Sequence, residues 1–332
     1  MRVRHVSCTA IAGPDSVLVA GAGAMGSVVG GLLARAGRPV TLLGRPAHMA
    51  AIRVRGLVVT GLFGEHRVTT LSCVTDTREL DGPYDTVLLT VKAWDTAAMA
   101  AAVAPQLATD GMLVSLQNGL GNMERAAAAV GGARVLGGRV IFGAELPRPG
   151  EARVTVFADP VLIGSPDQAD RARVAAADRL ARRLDAAGVP ARETDAIVAE
   201  LWAKVLYNAA LNPLGALLGL PYGALPEDPD TRATMDAVID EAFAVATADG
   251  VALPWPDAAA YRETFYGRLV PSTAAHRSSM LQDLERGRPT EIDAINGHVV
   301  ARGAALGVAT PVNATLARLI RARARQGRTE EG

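Results

Sequence analysis

A chain of 332 residues, 49% hydrophobic and 20% charged, is long enough for two domains and has a globular composition, which excludes wholesale disorder, a collagen-like repeat and a disulfide-stapled miniprotein. Its 34 basic residues balance 34 acidic ones, so it has no electrostatic footprint for nucleic acid or an anionic membrane, and small molecules remain as ligands. The two cysteines, Cys8 and Cys73, have neither metal-ligand spacing nor the makings of a disulfide framework, which fits a reducing cytoplasm and no metal site.

Residues 1–15 read as a loose leader, because His5, Ser7 and Thr9 interrupt an apolar stretch already too short for a signal-peptide core. The segment SVLVAGAGAMGSVVGGLLARAG then predicts a β-branched strand, a glycine turn and an apolar helix ending near Gly37, and PVTLLGR predicts a second strand. Gly21, Ala22, Gly23, Ala24, Met25 and Gly26 form G-x-G-x-x-G at the head of that helix. The first glycine permits a tight turn, the second lets a pyrophosphate approach the backbone, and the third lets helix and strand pack closely. With the strand before it and the βαβ unit around it, the motif predicts a bound dinucleotide. The second strand ends in Arg45, without the acid that holds an unmodified ribose. An arginine there pairs with a 2′-phosphate and selects NADP(H).

Further strands are expected at 85–91, 112–118, 134–142 and 152–156, with helices over 95–108 and 120–130 and from about 168 to Gly188. The alternation predicts an α/β Rossmann-type, doubly wound and mostly parallel sheet over 16–194. Long helical stretches follow, giving an all-helical domain over 195–325, with a last helix from Thr310-Pro311 and a solvated tail at 326–332. Lys92 and Asn118 fall at carboxyl ends of predicted strands, the edge where such sheets bind ligands. Asn118-Gly119 also suits a plain turn, and Lys92 a solvated cation.

Only two of the 34 basic residues are lysines, Lys92 and Lys204. An arginine-rich chain keeps lysine where a compact ammonium that can release a proton is needed. Lys204, Asn208 and Asn212 recur at i, i+4 and i+8 in WAKVLYNAALNPL, on one face of an otherwise apolar helix. Buried polar groups there either pair with one another or line a polar cavity. The 22 uncharged residues from 205 to 226 contain Asn208, Asn212, Pro213 and Pro221, which favours a core helix over a membrane span. Ser279 and Asp283 repeat the i, i+4 spacing, and Glu291 follows in PTEIDAINGH, where Thr290 and Asp293 suit a capping box.

The ordered set GAGAMG, Arg45 after strand two, TVKAW, QNG, WAKVLYNAALNPL, SSMLQD and TEIDAINGHVV resembles the ketopantoate reductase (2-dehydropantoate 2-reductase) family over roughly residues 16–320. The resemblance implies NADPH bound in a cleft and reduction of ketopantoate to pantoate in pantothenate and coenzyme A synthesis. It implies Lys204 as general acid and Glu291 as the functional glutamate beside lysine and cofactor. Asn118, Asn208, Asn212 and Ser279 match substrate and cofactor contacts, and Lys92 a cofactor contact. Tyr222 and His276 stand where relatives carry asparagine, which leaves open the reduction of a different 2-keto acid or ketone. A non-catalytic NADPH sensor would be marked by loss of Lys204 and Glu291, and both are present. The expected partner is a small 2-keto acid, with neither nucleic acid nor membrane, and a homodimer is left open.

Overall fold

The structure is a computed structural model that describes residues 15–329. Cys8 and the leader up to residue 14 lie outside the described residues, as do residues 330–332. The chain divides into two compact units, one of the residues up to Gln117 together with Asn122–Ile197, the other of Asn118–Gly121 with Val198 onward.

The first unit runs β1 (Val17–Ala20), α1 (Ala24–Arg35), β2 (Val40–Leu43), α2 (Pro46–Arg55), β3 (Leu57–Gly61), β4 (His66–Val68), β5 (Ser72–Val74), β6 (Tyr84–Leu89), α3 (Thr96–Val103), β7 (Leu107–Ser115), α4 (Asn122–Val130), β8 (Val135–Arg148), β9 (Glu151–Gly164), α5 (Arg171–Ala186) and β10 (Ala191–Glu193). The strands form one sheet in the order β4-β3-β9-β8-β7-β6-β1-β2-β5, with β10 beside β9. Neighbours from β8 through β7, β6, β1 and β2 to β5 are parallel. The chain moves outward from β1 in both directions, so the order reverses between β1 and β6, the topological switch point at which open α/β sheets bind ligands.

β1 is buried on both faces, which is why VLVA reads as a continuous apolar run. Its side chains alternate between two cores. Val17 and Val19 pack with Val28, Leu32 and Leu33 of α1 and Leu180 and Leu184 of α5, while Leu18 and Ala20 pack with Ala100 and Val103 of α3 and Ala126 of α4. Each fully buried leucine in these layers contributes about 1.5–3 kcal/mol relative to exposure.

Three features extend the sequence reading. The segment 46–74, unassigned from its pattern, folds as α2, an antiparallel β3–β4 pair and the edge strand β5. β8 and β9 pair antiparallel. The last helix continues to Thr329, well into the stretch expected to be tail.

The second unit is helical: α6 (Ile197–Leu218), a 3-10 segment Tyr222–Glu227, α7 (Pro229–Ala248), α8 (Ala258–Thr264), a π-turn Phe265–Leu269, α9 (Val270–Ser272), α10 (Ser279–Glu285), a 3-10 turn Glu291–Ala294, α11 (Asn296–Leu306) and α12 (Pro311–Thr329). α6 is buried almost all round between Val205 and Ala216, which explains its uncharged sequence as that of a core helix. Among the described residues no helix is long and apolar enough to cross a membrane.

α6 carries Pro213 in its interior. Proline has no N–H, so the carbonyl of Ala209, four residues earlier, loses its helical donor. The buried carboxamide of Asn296 fills that role, its Nδ2 donating to Ala209 O at 3.1 Å. Asn296 Nδ2 also donates to Asn313 Oδ1 at 3.0 Å, and Asn313 Nδ2 donates to Glu241 Oε2 at 2.8 Å. The Glu241 carboxylate in turn accepts the backbone N–H groups of Val312 and Asn313 at the start of α12. A polar chain through α7, α11 and α12 thus supports the middle of α6.

Candidate active site

In the first unit the glycine turn closes over the carboxyl end of β1. Gly21 sits at φ +106°, and a Cβ there would come within 2.5 Å of the Val91 nitrogen. A Cβ at Gly26 would come within 2.6 Å of Thr90 Oγ1, the hydroxyl that donates to Gly21 O at 2.8 Å. Both glycines are therefore required by the turn's own packing. Gly23 differs. A Cβ there would meet nothing nearer than Gly21 O at 3.8 Å, so the turn's own packing does not require a glycine at this position. No side chain caps α1 and no acid lies in its first turn, which leaves the N-terminal amides of Ala24, Met25 and Gly26 for an anion. The donor set fits a dinucleotide pyrophosphate.

Arg45 follows β2 as the exposed N-cap residue of α2. Its guanidinium makes no hydrogen bond or ion pair among the described residues. Lys92 lies just beyond β6 as the N-cap of a 3-10 turn, its ammonium 5.9 Å from the Trp94 ring centroid. The β2, β1 and β6 ends are adjacent in the sheet, so the glycine turn, Arg45 and Lys92 share one edge.

Gln117 ties the β6 and β7 ends together. Its Nε2 donates to Val91 O at 2.9 Å and to Thr96 Oγ1 at 2.7 Å, and its Oε1 accepts from Ser115 Oγ at 3.2 Å. That buried carboxamide immediately precedes Asn118 in the chain. Asn118 itself belongs to the second unit.

In the second unit Lys204, Asn208 and Asn212 share one face of α6 as their spacing requires. Lys204 Nζ donates to Asn118 Oδ1 at 2.5 Å, and Asn118 Nδ2 reaches Glu291 Oε2 at 3.5 Å. One asparagine thus bridges the lysine and the glutamate. Asn208 is 8% exposed and Asn212 4%. The Asn208 carboxamide and the Asn212 amide nitrogen make no hydrogen bond among the described residues, and neither appears among the sealed, unsatisfied polar atoms. Buried amides are ordinarily satisfied, so the open Asn208 carboxamide and Asn212 amide nitrogen beside a lysine are groups a polar ligand could meet.

Ser279 is the exposed first residue of α10. Its neighbour Ser278 is fully buried and structural. The Ser278 hydroxyl donates to Asn212 O at 2.9 Å and accepts from the N–H groups of Met280 and Leu281 as the α10 N-cap. Glu291 opens its 3-10 turn, but Thr290 makes no side-chain cap. The capping box expected from Thr290 and Asp293 does not form, because the Asp293 carboxylate is drawn outward to Arg321 Nε at 2.7 Å. The site residues not found from sequence are Gln117, Asn296 and the function of Tyr222. Tyr222 is 3% exposed, and its hydroxyl donates to Asn212 Oδ1. An internal proline is a sequence signal that some donor must replace its N–H, though not which one.

Residues 17–168 match the family model described as ketopantoate reductase PanE/ApbA, and residues 196–324 match its C-terminal counterpart. The chain belongs to the ketopantoate reductase family. Members of this family are NADP-dependent oxidoreductases. A 2-dehydropantoate 2-reductase of Aquifex aeolicus is 37% identical over 92% of this chain and 96% of its own, and one of Halobacterium salinarum is 36% identical over 94% and 99%. Among solved structures, a PanE/ApbA family ketopantoate reductase from Ralstonia eutropha superposes with a TM-score of 0.84 at 36% identity, covering 94% of this chain and 99% of that one. A D-mandelate dehydrogenase solved with NADH and anilino(oxo)acetate superposes with a TM-score of 0.83 at 27% identity over 94% and 99%.

Proposed function

We propose that this chain reduces 2-dehydropantoate (ketopantoate) to pantoate with NADPH, its first unit holding the cofactor and its second the keto acid. The observation that carries this reading is the buried, open Asn208 carboxamide and Asn212 amide nitrogen on the Lys204 face of α6, in a chain 37% identical to a 2-dehydropantoate 2-reductase.

The glycine turn and the α1 N-terminus would hold the pyrophosphate, Arg45 the 2′-phosphate and Lys92 a further cofactor oxygen. NADPH, when bound, would supply the hydride for the keto carbon. A 2-keto acid offers several acceptor oxygens and few donors, which suits the donors of Asn208, Asn212 and Ser279. As the carbonyl becomes an alkoxide, the Lys204 ammonium stabilises it and then gives it a proton, completing the alcohol. Asn118 Oδ1, already accepting from Lys204 Nζ, aims that ammonium, and Glu291 holds Asn118 from its other end. Lysine suits this role because arginine releases no proton near neutrality.

A second reading, reduction of another 2-keto acid, is favoured by the aromatic character of Tyr222 and by the structural likeness to the D-mandelate dehydrogenase. NADPH oxidation across a panel of 2-keto acids separates the two. Preference for ketopantoate over 2-ketoisovalerate by orders of magnitude is expected of a site that hydrogen-bonds the extra hydroxyl. Equal rates, or faster turnover of an arylglyoxylate, would establish the second reading.

A further inference from the structure

Asn212 is held on both sides of its side chain. Its backbone carbonyl takes the Ser278 proton at 2.9 Å, and its carboxamide oxygen takes the proton of Tyr222. The Ser278 hydroxyl has no further proton to give, so Tyr222 is the one protein partner of that carboxamide among the described residues. The phenol is itself immobilised. Its ring packs edge-on against Tyr207, with centroids 6.0 Å apart, and at a tilt against His276, with centroids 5.2 Å apart. Its backbone N–H donates to His276 O at 3.1 Å, and Gly223 N–H donates to Ala274 O at 2.9 Å. Gly223 allows this close seat, since a Cβ there would come within 2.7 Å of Ala274 Cβ.

A carboxamide has one acceptor and two donor hydrogens, and it offers a ligand whichever end the protein leaves open. We infer that Tyr222 is a positioning and specificity residue that pins the Asn212 oxygen and so presents the Asn212 NH2 to an acceptor oxygen of the keto acid. Without the phenol the amide turns over at little cost and presents its oxygen as often as its nitrogen. An oxygen-rich anionic substrate is then repelled by the wrong end. Burial pushes the Tyr222 hydroxyl far above its ordinary pKa, so the phenol stays a neutral proton donor throughout the working range.

The inference rests on the reading that the Lys204 face of α6 binds the keto acid, and its test separates the two claims. Steady-state kinetics with ketopantoate and NADPH are measured for Tyr222→Phe, Asn212→Ala and the double variant, with NADPH affinity followed separately by binding. Tyr222→Phe is expected to raise KM for ketopantoate about tenfold, the scale of one hydrogen bond to a charged ligand, with kcat changed less than about twofold and NADPH affinity unchanged. In the Asn212→Ala background the same change should add nothing, because there is no amide left to orient. If Asn212→Ala raises KM but Tyr222→Phe does not, the inference is overturned and the α6 reading stands. If the two changes add fully, Tyr222 acts through loop packing and the inference fails. If Asn212→Ala leaves KM unchanged, the α6 face does not bind the acid and both claims fall.

Discussion

The carboxamide of Asn296 donates to the carbonyl of Ala209 at 3.1 Å, supplying the hydrogen bond that Pro213 cannot. The proline lies inside α6, one residue beyond Asn212, so Asn296 supports the backbone where the candidate substrate surface is built. Asn296→Ala leaves a buried carbonyl unsatisfied and should cost about 1–3 kcal/mol in unfolding free energy. Restoring the N–H by Pro213→Ala in the same background should recover most of that loss, as read by urea denaturation. Equal losses with and without the proline would mean that Asn296 acts through Asn313 alone.

Arg45 should govern the choice of cofactor. Its guanidinium is exposed and unpartnered among the described residues, so a 2′-phosphate is the charge it would meet. Arg45→Ala is expected to raise KM for NADPH about tenfold or more while barely changing that for NADH. The effect should shrink as salt is added. Equal use of both cofactors by the unaltered enzyme would contradict this assignment.

A pH-dependent joint lies beside the glycine turn. His48 is buried on α2, its Nδ1 accepting from Gly150 N–H at 2.9 Å and its Nε2 paired with Ser27 Oγ at 2.9 Å. The neutral ring therefore carries its proton on Nε2. Burial lowers its pKa from the ordinary 6.5. The unfolded chain thus binds the proton more readily, so this stability is full above about pH 6.5 and is lost as pH falls below it. Burial lowers His276 as well, so His48→Gln should flatten only part of the fall in melting temperature between neutral and mildly acidic pH. An unchanged slope would show that His48 does not protonate on unfolding.

The glycine turn, the strands around it and the Lys204 face were legible because each is a local pattern: a strand, three glycines and a helix in sequence, or polar residues at helical spacing. β3, β4 and β5 were not, since runs of three to five residues, the middle one carrying His66 and Arg67, hold too little periodicity to register. Asn296, 87 residues from Ala209, and Glu241, 72 from Asn313, act through tertiary partners that no window contains. Tyr222 was visible as a departure from relatives, but its bond to Asn212 needed the fold. The capping box at Thr290 had the right residues and failed because Arg321, distant in sequence, competes for Asp293.

The central claim is that Lys204, aimed by Asn118, gives the proton that completes hydride reduction of ketopantoate. Turnover of Lys204→Arg with saturating NADPH and ketopantoate tests it most directly, because arginine keeps the charge and removes the releasable proton. A loss on the order of 100-fold or more in kcat is expected, with NADPH affinity nearly intact. A Lys204→Arg enzyme that keeps most of its turnover would contradict proton donation and leave Lys204 only a place in holding the substrate.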